Sequence, residues 1–292
     1  KAEENPLWMR FPAISPDGQT ITFEYKGDIF TVPVRGGHAV QLTTNSAYDA
    51  YPVWSPDGQK IAFASAREGS LDVYVMSNLG GVPKRLTTES GDEFPLAFSD
   101  KDHVLFKAEL MPTLQSVIFD SNSFPQIYQV ATVGTRPKLF SEITMEDMDI
   151  NKNGDILYHD KKGYEDEFRK HHRSPITRDI WLCRNGKFTK LTTFDGEDRT
   201  PRWSADGSSY YYLSEEDGTF NIYRRNIDGS NKTQLTHYKG NPVRFLTIAK
   251  NGTLCYGYDG EIYTLTEGSE PQKVAINVIT DQTDKDLVRQ VL

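Results

Sequence analysis

Cysteine is nearly missing from this chain: Cys183 and Cys255 are the only two in 292 residues. That scarcity excludes a disulfide scaffold and a multi-thiolate zinc site. A basic surplus is missing as well. Asp and Glu number 41 against 33 Lys and Arg, for a net charge of -8, whereas nucleic-acid binders carry a basic face, so no nucleic acid is expected as partner. No apolar run approaches the roughly 20 residues that cross a bilayer as a helix, which sets membrane insertion aside. Signatures of catalysis are absent too: there is no G-x-S-x-G, H-E-x-x-H, G-x-x-x-x-G-K-[ST] or helix-opening G-x-G-x-x-G. His38, His103, His159 and His237 are scattered, and the adjacent His171 and His172 have no further ligand at suitable spacing. No metal, cofactor or catalysis by this chain alone is therefore expected. The start at Lys1 fits a removed signal peptide or a chosen boundary.

What the chain has is repetition. The stretch "YPVWSPDGQKIAFAS" at 51 to 65 returns as "FPAISPDGQTITFEY" from 11, "FPLAFSDKDHVLFKA" from 94, "DMDINKNGDILYHD" from 147, "TPRWSADGSSYYYLS" from 200 and "FLTIAKNGTLCYGY" from 245. Each copy precedes an aromatic-aliphatic strand ("DIFTVP" at 28, "DVYVMS" at 72, "QIYQVA" at 126, "DIWLCR" at 179, "NIYRRN" at 221, "EIYTLT" at 261). A closing element follows, as in "VQLTT" at 40, "KRLTT" at 84 and "TKLTT" at 189, fading to "QKVAI" at 272. The turns begin at Ser15, Ser55, Ser99, Asn151, Ser204 and Ala249, at spacings of 40, 44, 52, 53 and 45 residues. Four short strands, a to d, in each period of 40 to 50 residues is the arithmetic of a β-propeller blade, and six units predict six blades of an all-β fold. The expected blades are 11–44, 51–88, 94–141, 147–193, 200–237 and 243–276, within one domain over 1–276. The tail 277–292 has lost the pattern and is expected to be a linker or the start of a following domain.

Ser-Pro-Asp-Gly matches the residue preferences of a type I turn, with Gly58 taking positive φ into the next strand. Ser99-Asp100-Lys101-Asp102 places Asp102 where the others have glycine, and Asp tolerates that region. In "KIAFAS" both faces are apolar, which fits a sheet sandwiched between neighbours. Trp54 and Trp203 end equivalent strands, and with Trp8 and Trp181 they read as blade packing. The cysteines fall on strand c of blade four and strand b of blade six, too far apart to bond. Blade six supplies its own weak strand d, so no strand exchange with the N-terminus is expected, although "ENPLWM" at 4 to 9 could add an outer strand.

Two b-to-c connections break the repeat, "LMPTLQSVIFDSNSF" at 110 to 124 and "KKGYEDEFRKHHRSPIT" at 161 to 177. Antiparallel alternation puts both on the face that also carries the d-to-a loops with Asp49, Asp92, Asp198 and Arg199, together with Arg67. The three aspartates each stand three residues before a proline (Pro52, Pro95, Pro201) and fit a turn-capping role, or a ring of carboxylates for a cation or an amine. Arg67, Arg173, Arg178 and Arg199 are candidates for pairing with peptide carboxylates, because Arg offers a bidentate fork.

The best preserved unit, "PVWSPDGQKIAFASAREGSLDVYVM" at 52 to 76 with "GGVPKRLTT" at 80 to 88, resembles TolB-like propeller repeats. The opening "NPLWMRFPAISPDGQTITFEYKGDIFTVPVRGGHAVQLTTN" resembles the N-terminal six-bladed propeller of bacterial tricorn-protease homologues. That resemblance implies a propeller preceding a second propeller, a PDZ domain and a serine peptidase domain, and admitting or orienting peptides. It further implies a periplasmic setting and, as partners, peptides and the downstream domains of a parent serine protease. Two other classes stay open: a TolB-like interaction propeller with no protease, and the propeller of a prolyl-oligopeptidase-type hydrolase.

Overall fold

The computed structural model describes residues 2–4, 6–89, 91–108, 126–160 and 178–280. They form six four-stranded antiparallel sheets, each ordered a-b-c-d, and contain no helix. The a strands are Arg10–Ile14, Asp49–Trp54, Glu93–Asp100, Asp147–Ile150, Asp198–Trp203 and Arg244–Ile248. Each touches the a strands of the blades on either side, and blade six meets blade one, so the ring closes around a central axis. This is the six-bladed propeller that the repeat predicts.

The turn tetrapeptide works through its side chains. Ser55 Oγ donates to Asp57 Oδ1 at 2.6 Å and accepts the Lys60 N–H at 2.9 Å, which closes the hairpin while Gly58 takes φ 71°. Ser15 with Asp17 and Ser204 with Asp206 repeat the pattern. In blade four Asn151 does both jobs, its Oδ1 accepting the N–H groups of Asn153 and Asp155 at 3.0 Å. Blade three departs from the expectation for Asp102, which does not take positive φ. Its hairpin closes one residue earlier, with Asp100 opposite His103, and Asp100 Oδ1 accepts the Asp102 N–H at 2.7 Å and meets His103 Nδ1 at 2.9 Å.

The recurring Leu-Thr after strand d is a clamp. Thr43, Thr87, Thr192 and Thr236 each accept on Oγ1 the N–H of the strand c aliphatic, Ile29, Val73, Ile180 or Ile222, at 2.9 to 3.0 Å. The preceding strand c residue ties to strand d as well: Gln41 donates to Asp28 at 3.0 Å, Arg85 Nη2 meets Asp72 at 2.8 Å and Lys190 meets Asp179 at 3.0 Å. These bonds fasten the short outermost strand to its blade.

Packing between blades supplies the core. Ile61, Ala62, Phe63 and Ala64 are all fully buried, so both faces of that strand are interior. Ile29 of blade one packs with Ile61 and Phe63 of blade two, and Phe23 and Val32 of blade one pack with Cys255 and Ile262 of blade six. Each fully buried side chain of this size contributes about 1.5–3 kcal/mol relative to an exposed one. The indole N–H groups of Trp54 and Trp203 donate to the preceding blade, at Ala13 O (3.0 Å) and Asp155 O (3.1 Å). Trp8 departs from the packing role: it is 73% exposed, with φ 66°. It sits over Gly260, where a Cβ would meet its backbone N at 2.9 Å. Both cysteines are free, Cys255 buried and Cys183 only half-buried.

Blade six has its own strand d, Gln272–Lys273. The N-terminal strand Ala2–Glu4 does not extend a blade. It pairs antiparallel with Ile276–Thr280, which runs parallel to Gly37–His38 in the c-to-d connection of blade one. Residues 277–280 of the segment expected to be a linker or the start of a following domain belong to this strand, which ties blade six to blade one. Gly36 permits the crossing, since a Cβ there would lie 2.4 Å from Ala275 O.

Candidate functional site

The a strands enclose a central channel of about 490 Å³. It runs from Phe94 and Glu146, near the d-to-a side, to Pro16, Pro56 and Lys250 at the a-to-b turns. At the latter end Lys250 reaches from blade six to donate to Pro56 O of blade two at 2.8 Å.

One wall is aromatic. Phe245, Phe11, Tyr51 and Phe94, from blades six, one, two and three, touch in sequence with ring centroids 4.9, 4.3 and 5.1 Å apart. Bulges in the a strands hold Phe11, Tyr51 and Phe245, while in blade three the bulge falls after Phe94. The pairing register slips between Arg10 and Ala13, Ala50 and Val53, Pro95 and Ala97, and Arg244 and Thr247. Phe11, Tyr51 and Phe245 take φ of 52°, 58° and 61°, a conformation that costs bulky residues on the order of 1–2 kcal/mol each. Thr200 of blade five occupies the same bulge with φ 57°. Blade four has no bulge, and Asp147 stands in the aromatic's place.

The other wall, in blades four and five, is a charge network. Arg202 Nη2 donates to Asp147 at 2.9 Å, Nε to Leu246 O at 2.9 Å, and Nη1 to Pro201 O at 2.9 Å and Met148 O at 3.4 Å. It braces three neighbouring a strands. Asp149 accepts the Trp203 N–H at 2.7 Å, and desolvation raises its pKa although Arg202 is close. Behind this wall Arg178 bridges Glu146 (2.7 Å) and Glu197 (3.1 Å). His159 Nδ1 accepts the Thr200 N–H at 3.0 Å, so its Nε2 carries the proton facing Glu146 Oε2 at 3.5 Å. Burial alone would raise the pKa of Glu146, but hydrogen bonds from His159 and Arg178 bring it down to about 2.

The sequence-predicted residues are placed otherwise than around the lumen. Asp49 and Asp198 are buried at the starts of their a strands, and neither lines the channel. Asp49 pairs with Arg67 Nη2 at 3.2 Å, and the guanidinium of Arg67 lies over the rings of Tyr74 and Phe63. Burial raises the pKa of Asp198 to about 6. Asp92 caps, accepting the Leu71 N–H at 2.9 Å. Arg199 stacks 3.8 Å over Phe220, and burial followed by the charge of Arg178 lowers its pKa. Of the six that are described, Arg178 alone joins the network behind the polar wall. Arg173 and both insertions lie outside the described residues. Among those described, no cluster of three or more His, Cys, Asp or Glu could hold a metal ion.

A profile described as "Tricorn protease N-terminal beta propeller domain" matches residues 6–271. The chain belongs to that family. It is 27% identical over 289 residues to tricorn protease homolog 1 of Streptomyces coelicolor, covering 94% of this chain and 25% of that protein. Among solved structures, the tricorn protease matches at a TM-score of 0.76 and 20% identity, over 96% of this chain and 27% of that one. TolB from Acinetobacter baumannii matches at 0.64 and 15% identity, over 92% of this chain and 65% of that one. The chain thus spans about a quarter of the length of the tricorn relatives it matches.

Sequence reasoning missed the residues that make this tricorn-type channel two-sided: Glu146, Asp147, Asp149, His159, Glu197 and Arg202. A signal existed for two of them. Asp149 and Arg202 stand where blades one and two have Ala13 and Val53, and a charge at an apolar repeat position marks a departure from packing. Glu146, His159 and Glu197 converge only through the fold.

Proposed function

We propose that this propeller is a non-catalytic module of a tricorn-like serine protease, admitting or orienting peptide substrates for a peptidase domain carried elsewhere in the parent protein. The observation that carries this reading is the channel: a lumen of about 490 Å³ among the described residues, enclosed by the six a strands and lined by contrasting apolar and charged walls. Clefts of this size suit small ligands or short chain segments. A folded protein does not fit. Family membership supplies the protease context, and the fold contributes a sieve. Arg178, held by two glutamates behind the polar wall, would pair with a peptide carboxylate by exchanging one of them.

The test uses a parent protease carrying this propeller. Val53→Trp and Leu96→Trp, both at half-buried positions of the lumen, narrow the channel without touching the charge network. Turnover of long peptides should fall at least about tenfold relative to dipeptide-sized substrates. Length selectivity unchanged in a folded double variant would refute the gate.

A further inference from the structure

We propose that the channel reads peptide side chains, not peptide backbone, and that the arc of Phe245, Phe11, Tyr51 and Phe94 is a subsite for an aromatic or large aliphatic side chain of an extended polypeptide. The inference rests on the proposed function above and names its substrate class.

The inner strands of a propeller are open sheet edges. An extended peptide in the lumen would ordinarily find free N–H and C=O groups there and add as a further strand. Here each of the six edges has a donor removed or a carbonyl already occupied at the same level. Pro12, Pro52, Pro95 and Pro201 remove the donor in blades one, two, three and five. In blades four and six the equivalent residues are Met148 and Leu246, whose carbonyls accept from Arg202 at 3.4 and 2.9 Å. Backbone capture is thereby disfavoured all round the lumen, while transit of a chain is left possible.

What remains for recognition is side chains, and the two walls differ in what they offer. On the polar wall Arg202 is paired with Asp147, Glu146 with Arg178, and Asp149 is taken up by the Trp203 N–H, so the charged groups there are already engaged within the protein. The aromatic wall stays half-buried and faces the lumen. Three of its rings stand on a bulge residue of positive φ that blade five fills with Thr200 and blade four replaces by a regular strand, so the ring at that position is not dictated by the bulge. Arg10 and Lys107 lie over the rings of Phe11 and Phe94, at 4.8 and 5.2 Å. These cations oppose a cationic ligand, and seating a carboxylate against the four rings would cost its hydration, which leaves an uncharged side chain as the one that fits. An apolar group flanked by neutral backbone matches the compensated wall opposite.

The experiment measures binding of dye-labelled Gly-Ser peptides with one central Phe, or Ala in its place, to the 292-residue chain by fluorescence anisotropy. The Phe peptide should bind about tenfold more tightly, and the pair Tyr51→Leu and Phe245→Leu should shrink that preference to about twofold. Should that pair unfold the chain, Phe94→Leu alone, at a residue without positive φ, should reduce the preference about threefold. N-methylation of the peptide backbone should leave affinity within about twofold. Equal binding of the Phe and Ala peptides, a preference that survives the folded variants, or a large loss on N-methylation would each overturn the proposal. Failure here leaves the length sieve in the parent protease untouched, and failure of the sieve leaves the side-chain preference measurable.

Discussion

Blades three and four place a glutamate at the same point of strand a, and the two carboxylates are driven in opposite directions. Glu93 stands before Phe94 opposite Lys107, and Glu146 before Asp147 opposite His159. Glu146 has Arg178 and His159 as partners, and its pKa falls to about 2. Glu93 is buried with neither carboxylate oxygen hydrogen-bonded among the described residues, and desolvation raises its pKa to about 7. One repeat position therefore serves an ion network in one blade and an uncompensated buried acid in the next. The contrast extends across the channel, whose aromatic half is strained backbone and ring contacts and whose polar half is hydrogen-bonded charge. The packing between blades recurs around the ring, whereas the lumen-facing residues differ from blade to blade.

The sharpest way to break that contrast is to remove the brace of the polar half. Arg202→Met withdraws bonds to three a strands and leaves Asp147 half-buried and unpaired. We expect a loss of about 3 kcal/mol, read as a lower urea midpoint. The matched change on the other half, Phe94→Leu, removes a ring contact and creates no buried charge, and should cost about 1 kcal/mol. Equal losses would show that the two halves are held by the same forces after all.

The paired glutamates sharpen the comparison by sign. A carboxylate depressed in the folded state stabilises above its unfolded pKa, near 4.5, and that contribution disappears as pH falls toward 2. Glu146→Gln should thus cost about 2 kcal/mol at pH 7, and the difference from the parent chain should vanish in acid. A raised carboxylate does the reverse. The contribution of Glu93 is present below 4.5 and is lost as pH climbs to about 7, so Glu93→Gln should gain about 1 kcal/mol at pH 8. Denaturant midpoints at pH 2, 5.5 and 8 would check both, and glutamine variants shifting stability in the same direction at pH 8 would contradict the assigned environments.

How much of this could be read from the sequence follows from what repeats. The blade count, the a-to-b turns and the double-faced strands were legible because Ser-Pro-Asp-Gly and its descendants recur at regular spacing, with one geometry in every blade but the third. The Leu-Thr element was legible as a repeat, but its role was not, since Thr87 bonds a backbone group fourteen residues earlier, and only strand pairing brings the two together. Asp49 and Asp198 were visible as acids near prolines, yet their burial depends on the neighbouring blade. His159 and Glu146 are distant in sequence and unremarkable singly. The closure by residues 276–280 escaped for a similar reason: its partners lie at the opposite end of the chain, and two of its three strands are only two or three residues long.

The smallest expected effect concerns the turns, where the halves of the ring should behave alike if the differentiation is confined to the lumen. Ser55 is fully buried and its Oγ takes the Lys60 N–H, so Ser55→Ala leaves one donor unsatisfied and should cost about 1 kcal/mol. Asn151 fills the same place in blade four through its amide oxygen, and Asn151→Ala should cost about as much. A cost confined to one of the two would mean that the polar wall also props up its own hairpin from inside. Comparable costs would locate the division between the halves where the channel residues are, and leave the turn chemistry as the common frame that lets each blade vary its inner strand.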